Sequence, residues 1–92
     1  MFKNSYAAKV KADLINIHDY IALDNPVRAK TFIDELNDII SNLERFPNMG
    51  TMIDGNPNKR RLVHGNYKIL YEINVSKKKI YIKHVKNCAQ NG

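Results

Sequence analysis

Apolar residues recur at helical spacing near the start of the chain. Four of them lie three or four positions apart and share one stripe of a helix: Val10, Leu14, Ile17 and Ile21. The polar residues Asp13, Asn16 and Asp19 fall away from that stripe. The pattern therefore predicts an amphipathic helix from about residue 7 to residue 22.

A second helix is predicted to begin at Asn25-Pro26. Asparagine is a favourable N-cap, and proline is tolerated at the first helical position because its missing N–H has no partner there. Pro47 disfavours helical geometry at Phe46, so the helix is expected to end near Arg45. About three residues link the two helices, which predicts an αα-hairpin. The apolar face of the second helix comprises Ala29, Phe32, Ile33, Leu36, Ile40 and Leu43.

The period of the pattern changes to that of strands in the last third of the chain. Apolar and polar residues alternate over residues 67–73, with tyrosine and isoleucine on one face and Lys68, Leu70 and Glu72 on the other. Residues 61–63 and 80–85 are predicted as further strands, and residues 2–5 as a weak first strand. Residues 47–58 contain two Pro, two Gly and three Asn, and are expected to form an extended loop.

The order of these elements is β-α-α-β-β-β, which predicts an α+β fold in a single domain over residues 1–92. The helical hairpin is expected to pack on one face of a small, mainly antiparallel sheet. Covering the tyrosine and isoleucine face of residues 67–73 leaves Lys68 on the opposite, open face. Because Arg60 and Arg61 are adjacent strand residues, only one of them can share that face, and the pattern leaves open which one.

The charge, the cysteine content and the apolar runs of the sequence limit the kinds of partner and binding site that the protein can have. The net charge is +6, and it is uneven: residues 1–58 carry −2 and residues 59–92 carry +8, which indicates a polyanionic partner. Cys88 is the only cysteine, so a disulfide framework and a four-cysteine zinc site are excluded and a reducing cytoplasm is expected. We expect no metal and no cofactor. No apolar run is long enough to predict a membrane segment.

The basic residues of the last third divide into two groups. The three lysines of residues 77–79 have the composition of a solvated hairpin tip. The others lie within or beside predicted strands and are expected to form a basic surface that binds the target: Lys59, Arg60, Arg61, Lys68, Lys83 and Lys86.

Several segments together resemble the RelE/ParE superfamily of type II toxin–antitoxin toxins, whose members are often described as plasmid stabilisation proteins. Each segment alone is weak, whereas their joint order and spacing over nearly the whole chain are specific. They are residues 13–21, Asp24-Asn25-Pro26 with Ala29 and Phe32, Leu43-Glu44-Arg45-Phe46-Pro47 with Gly50, Arg60-Arg61-Leu62-Val63, Gly65-Asn66-Tyr67-Lys68-Ile69-Leu70-Tyr71, and Ile80-Tyr81-Ile82.

The resemblance implies a small toxin that is held inactive by a cognate antitoxin, which we expect to be acidic. RelE-like members are ribosome-dependent mRNA endonucleases, whereas ParE-like members act on DNA gyrase. A nuclease mechanism would use Arg61 and Lys68 at the phosphate and His84 for proton transfer. Lys68 stands where nuclease members commonly have arginine, and a lysine lacks the bidentate fork. A structural role is the alternative for His84.

Departures from the nuclease pattern favour the non-nuclease branch. After Lys86 the sequence contains no arginine and no aromatic residue that could stack on a base. The Phe-Pro-x-x-Gly segment at Phe46–Gly50 is more typical of the ParE-like branch. A third hypothesis, a non-toxic nucleic-acid-binding module, rests on the charge of the last third alone.

Overall fold

The computed structural model describes residues 1–89. Residues 90–92, which belong to the tail after Lys86 that lacks arginine and aromatic residues, lie outside the described residues. The elements are β1 (Lys3–Tyr6), α1 (Ala8–Ala22), α2 (Pro26–Asn42), β2 (Thr51–Ile53), β3 (Asn56–His64), β4 (Tyr67–Asn74) and β5 (Lys79–Asn87), with a 3₁₀ turn at Pro47–Met49. The sheet order is β1-β5-β4-β3-β2, and only the β1–β5 pair is parallel. The predicted α+β architecture is confirmed, with one additional strand.

The helices begin where the sequence predicts and differ at one end. Asn25 caps α2, since its side-chain oxygen accepts the Arg28 backbone N–H at 3.0 Å, and Pro26 is the first helical residue. The helix ends at Asn42, and not near Arg45, because the chain already turns over residues 43–45. The expected end was therefore three residues too late.

One hydrophobic core joins the helices to a single face of the sheet. The predicted apolar face of β4 is buried, and it packs in one cluster with Phe32, Leu36 and Ile40 of α2. In β5 the buried apolar residues are Ile80, Ile82 and Val85, because a bulge inserts one extra residue between Ile82 and His84, the partner of Leu70. Because the bulge interrupts the regular alternation of apolar and polar residues in β5, the sequence pattern does not predict which face of this strand is buried.

The prediction of an extended loop over residues 47–58 is wrong. The segment contains the 3₁₀ turn, all of β2 and the first residues of β3. Asp54 and Gly55 join the two strands with positive φ angles of 53° and 70°, the conformation that tight hairpin turns require. Asp-Gly is a strong hairpin signal, which the proline and asparagine content of the segment obscures.

The corner at residues 47–50 is tied to the core by Tyr71. The Tyr71 hydroxyl donates to the Pro47 carbonyl at 2.7 Å and accepts the Gly50 N–H at 2.9 Å. Burial raises the pKa of Tyr71 above its ordinary value, so the hydroxyl stays protonated and keeps its donor. A Cβ at Gly50 would lie 2.7 Å from the Arg61 carbonyl oxygen and 2.9 Å from the Tyr71 hydroxyl. This corner therefore requires glycine for steric reasons.

A polar cluster links α2 to the end of β3. Glu35 accepts from Arg28 at 2.8 Å and contacts the His64 Nε2 at 2.7 Å. Phe32 stacks on the His64 ring, and the Arg28 guanidinium lies over the Phe32 ring. Hydrogen bonding by Arg28, followed by that of His64, lowers the pKa of Glu35 below its ordinary value.

We expect this cluster to make stability depend on pH in the acidic range. A lowered carboxyl pKa stabilises the fold above its ordinary value of 4.5, and this contribution is lost as the pH falls through the lower folded value. Glu35→Gln should therefore be less stable than wild type at about pH 7, and the difference should be smaller at about pH 3. Urea denaturation at both pH values measures the difference. A difference that stays constant between them would contradict the assignment.

Candidate functional site

The strand register places four of the predicted site residues, Arg61, Lys68, His84 and Lys86, on two adjacent rows of the open face. Residues paired directly across a sheet share a face, and Arg61 pairs with Leu70, which pairs with His84. In the next row Lys68 lies between Val63 and Lys86. The structure therefore brings Arg61 and Lys68 together on the face opposite the helices.

Arg60 lies on the other face of β3, in register with Tyr71. Its guanidinium donates to three backbone carbonyls: Gly50 at 2.8 Å, Pro57 at 2.9 Å and Asn48 at 3.3 Å. These bonds hold the corner at residues 47–50 against β3. The expectation that both arginines belong to one target-binding surface therefore does not match their placement, because strand alternation separates them.

Arg60→Ala is expected to lower the free energy of unfolding by about 1 to 3 kcal/mol, because three carbonyls lose a charged donor. Arg61→Ala should change it by no more than about 0.5 kcal/mol, since the Arg61 side chain is exposed. Chemical denaturation of the two single variants measures both values. Equal losses would contradict the structural role of Arg60.

Lys59 and Lys83 share a single acidic partner. The Glu72 carboxylate lies 4.0 Å from the Lys59 ammonium and 3.6 Å from that of Lys83. The Lys83 ammonium also lies over the Tyr81 ring, 5.7 Å from its centroid. Glu72 therefore offsets part of the charge at this end of the open face.

Arg61 and Lys68 form the centre of what we call the open-face patch, which also includes Val63 and Leu70. Neither cation has a side-chain hydrogen bond or an ion-pair partner within residues 1–89. Val63 is exposed, and Leu70 and Lys68 are half-buried. The patch thus combines two available cations with an apolar surface, an arrangement that suits a protein or a nucleic-acid partner.

Lys86 occupies a different environment from the one its sequence position suggests. It was expected on an accessible basic surface, yet only 6% of it is exposed. It lies directly opposite Lys68 in the β4–β5 ladder. The two lysines therefore lie on the same face of the sheet, and sequence alternation does not show that one of them is largely covered.

His84 pairs with an acid that sequence reasoning left unassigned. Its Nδ1 lies 2.5 Å from the Asp13 carboxylate, and the same oxygen accepts the Val85 N–H at 3.1 Å. Both side chains are largely buried. Asp13 lies on α1, 71 positions before His84 in the sequence. The sequence shows it only as an acidic residue beside the apolar stripe of a helix, which does not predict a contact with His84. A carboxylate that orients an imidazole leaves Nε2 available for proton transfer or for binding.

Two further classes of site can be assessed over the described part of the chain. Between residues 1 and 89, no group of three or more His, Cys, Asp or Glu side chains is arranged to hold a metal ion. Over the same residues, no helix is both long enough and apolar enough to cross a membrane.

The family model for the ParE toxin of the type II toxin–antitoxin system parDE matches residues 5–92. The chain belongs to the ParE toxin family. It is therefore a toxin of the type II toxin–antitoxin class, as the resemblance to the RelE/ParE superfamily predicted. No protein with a curated description matches the chain.

Solved structures confirm the fold of this ParE-family chain. The chromosomal ParDE system from P. aeruginosa is similar at a TM-score of 0.72 and 22% identity, covering 95% of each chain. The RelBE2 toxin–antitoxin complex from Mycobacterium tuberculosis has a TM-score of 0.70 at 17% identity, covering 94% of this chain and 96% of that one. The archaeal RelE–RelB complex from Pyrococcus horikoshii has a TM-score of 0.59 at 18% identity, covering 98% of each chain.

Proposed function

We propose that this toxin arrests growth by binding its target through the open-face patch, and that it does so without cleaving RNA. The proposed target is DNA gyrase in the cytoplasm, because the resemblance is to ParE-like members, which act on gyrase. The observation that carries the proposal is the small number of available cations on the open face. Arg61 and Lys68 are available, whereas the other predicted cations are bonded or buried.

The available charge argues against an extended RNA site. RNA is held mainly through its phosphates, and each contact needs an accessible donor or cation. Arg60 donates to backbone carbonyls, Lys59 and Lys83 share Glu72, and Lys86 is buried. Two cations beside Val63 and Leu70 suit a compact, partly apolar protein surface better than a phosphate chain.

The proposed partner that neutralises the toxin is a cognate acidic antitoxin. Solved structures of the same fold include the RelBE2 toxin–antitoxin complex and the archaeal RelE–RelB complex. The last third of the chain carries +8, so an acidic segment is complementary to it. A domain of this size has a small core, and a bound partner would stabilise it by mass action.

A RelE-like ribosome-dependent endonuclease is the second candidate, and one observation favours it. His84 is oriented by Asp13 at the edge of β5, an arrangement that general acid–base catalysis uses. In that mechanism Arg61 and Lys68 would stabilise the charge on the phosphate, and His84 would transfer the proton. The hypothesis of a non-toxic nucleic-acid-binding module is not supported by membership of a toxin family.

One pair of assays tests the proposed function directly. A cognate antitoxin is expected to be encoded directly beside the toxin. The toxin is therefore induced alone and together with any small reading frame that adjoins its gene, and growth is followed. Supercoiling by purified gyrase should then be inhibited by the toxin and restored by the co-expressed partner. Primer extension on translated mRNA should show no codon-linked cuts.

His84→Ala provides the matched comparison between the two candidates. A gyrase inhibitor should retain its activity in this variant, whereas a nuclease that uses His84 should lose cleavage. Clear mRNA cleavage with normal supercoiling would overturn the proposal. Absence of both growth arrest and a partner in the neighbouring frame would contradict any toxin role.

A further inference from the structure

A single acidic residue interrupts the basic open face of the sheet. The rows of Lys68 and Arg61 contain cations and no acidic residue. The next row is formed by three residues that pair directly across β3, β4 and β5: Lys59, Glu72 and Tyr81. Glu72 is the only acidic side chain in the last third of the chain. The row beyond it, Asn74 and Lys79, again contains a cation, so Glu72 separates Lys79 from the open-face patch.

Glu72 contacts two lysines at once. One carboxylate oxygen lies 4.0 Å from the Lys59 ammonium, and the other lies 3.6 Å from the Lys83 ammonium. Lys83 is the residue that the bulge inserts into β5, and its ammonium also lies over the Tyr81 ring. The Glu72 side chain is 38% exposed, so the three charges meet at the surface of the sheet.

The effect of the Glu72 carboxylate along the sheet is short-ranged. Residues two apart on one face of an antiparallel strand are separated by about 7 Å, so Glu72 lies about 7 Å from the row of Arg61 and about 14 Å from that of Lys68. Exposed charges are screened over about 8 Å at physiological salt. Glu72 therefore neutralises its own row most strongly and leaves Lys68 available.

An uncharged residue at position 72 would change what the open face can bind. The cations would then stand in successive rows and form a continuous basic track from Lys79 to Lys68. Such a track binds a phosphate backbone without regard to its sequence. A protein partner is recognised by a few charges at defined positions, and specificity also depends on elements that disfavour the wrong partner.

We propose that Glu72 is a specificity-determining residue of the open face: it divides the basic track, so that the toxin binds a protein target through the open-face patch and rejects nucleic acid. The protein target rests on the proposed function. The rejection of nucleic acid rests on the two ion pairs of Glu72 and on its position between two basic ends of the face. It is a property of the toxin by itself and can be measured without the target.

The test compares the full-length toxin with Glu72→Gln, which keeps the length of the side chain and removes its charge. Binding to a single-stranded oligouridine is measured over a range of salt concentrations. The variant should bind roughly tenfold more tightly at low salt. Its slope of log affinity against log salt should be steeper by about 1.4, because each of the two released lysines adds about 0.7 on a single strand.

Asp34→Asn is the matched control. Asp34 pairs with Lys30 on the exposed side of α2 at 3.1 Å, so this variant also removes one negative charge and releases one lysine, away from the open face. It should leave the salt slope unchanged. Replacing Lys59 and Lys83 by Gln should abolish the gain of Glu72→Gln and have little effect in the wild-type background, where both lysines are already neutralised.

Binding to purified gyrase without DNA connects the effect to target selection. Wild type and Glu72→Gln should bind gyrase equally, because the open-face patch is intact in both. Excess competing RNA should weaken gyrase binding by the variant roughly tenfold more than binding by wild type, in line with its gain in RNA affinity. The midpoint of thermal unfolding should change by no more than about 5 °C, since exposed ion pairs contribute little to stability.

The possible results separate this inference from the proposed function. Equal RNA affinity and equal salt slope in wild type and a folded Glu72→Gln toxin overturn the inference, and the proposed function stands if wild type inhibits gyrase. A gain of the same size in Asp34→Asn shows an effect of net charge alone and is equally contrary. If wild type does not bind gyrase, the proposed function fails, whereas a gain in RNA binding confined to Glu72→Gln still supports the rejection of nucleic acid by Glu72.

Discussion

The double variant Arg61→Ala/Lys68→Ala is expected to lose most of its growth-arresting effect while remaining folded. Both side chains lie on the open face without partners in residues 1–89, so truncation removes charge and little packing. Loss of charged contacts at an interface commonly costs about 2 kcal/mol or more, which corresponds to about 30-fold in target affinity. Colony counts after induction and inhibition of gyrase supercoiling measure the effect.

The control for this variant removes the same charge elsewhere. Lys77→Ala/Lys79→Ala changes two exposed lysines, one in the β4–β5 turn and one at the start of β5, and should stay fully toxic. Chemical denaturation of both double variants should give free energies of unfolding within about 0.5 kcal/mol of wild type. A folded Arg61→Ala/Lys68→Ala protein with full toxicity would place the functional surface elsewhere, with the helical hairpin as the next region to test.

Gly50→Ala is expected to be among the most destabilising single substitutions outside the hydrophobic core. The new Cβ would lie 2.7 Å from the backbone oxygen of Arg61, an atom that cannot move without disturbing β3. It would also displace the Tyr71 hydroxyl, which bonds to both Pro47 and Gly50. Overpacking and the loss of buried hydrogen bonds together predict about 2 to 4 kcal/mol less free energy of unfolding.

Gly55→Ala provides the comparison with an identical change. A Cβ at Gly55 meets no atom within 4 Å, so its only cost is the positive φ of 70°. That cost is about 1 kcal/mol. Urea denaturation of the two variants should therefore rank Gly50→Ala well below Gly55→Ala. The reverse order would show that the corner at residues 47–50 can relax and that its glycine is dispensable.

The helices and the central strand could be predicted because their causes are local. The apolar stripe of α1, the Asn25-Pro26 start of α2 and the alternation of β4 each depend on neighbours within a few residues. The β2–β3 hairpin also has a local cause, the Asp54-Gly55 turn. The proline, glycine and asparagine content of residues 47–58 obscures this signal, because the same composition is typical of an extended loop.

The site depended on contacts that no local pattern contains. The sequence does not distinguish the roles of Arg60 and Arg61. The register of β3 shows that Arg60 bonds to the backbone of the corner at residues 47–50, whereas Arg61 lies on the open face. Asp13 meets His84 because α1 crosses the end of β5, and a bulge in β5 shifts the strand register in front of His84. Such contacts form when the elements pack together, because packing places residues that are far apart in the sequence next to each other.

The sequence by itself determined the superfamily, the α+β class, the buried faces of α2 and β4 and the excess of positive charge in the last third. These properties depend on residue type and on spacing along the chain. Tertiary structure alone decided which of the cations are available, because burial and pairing depend on what folds beside each side chain. Lys86 shows this most clearly, since composition assigns it to an accessible basic surface and only 6% of it is exposed in the folded chain.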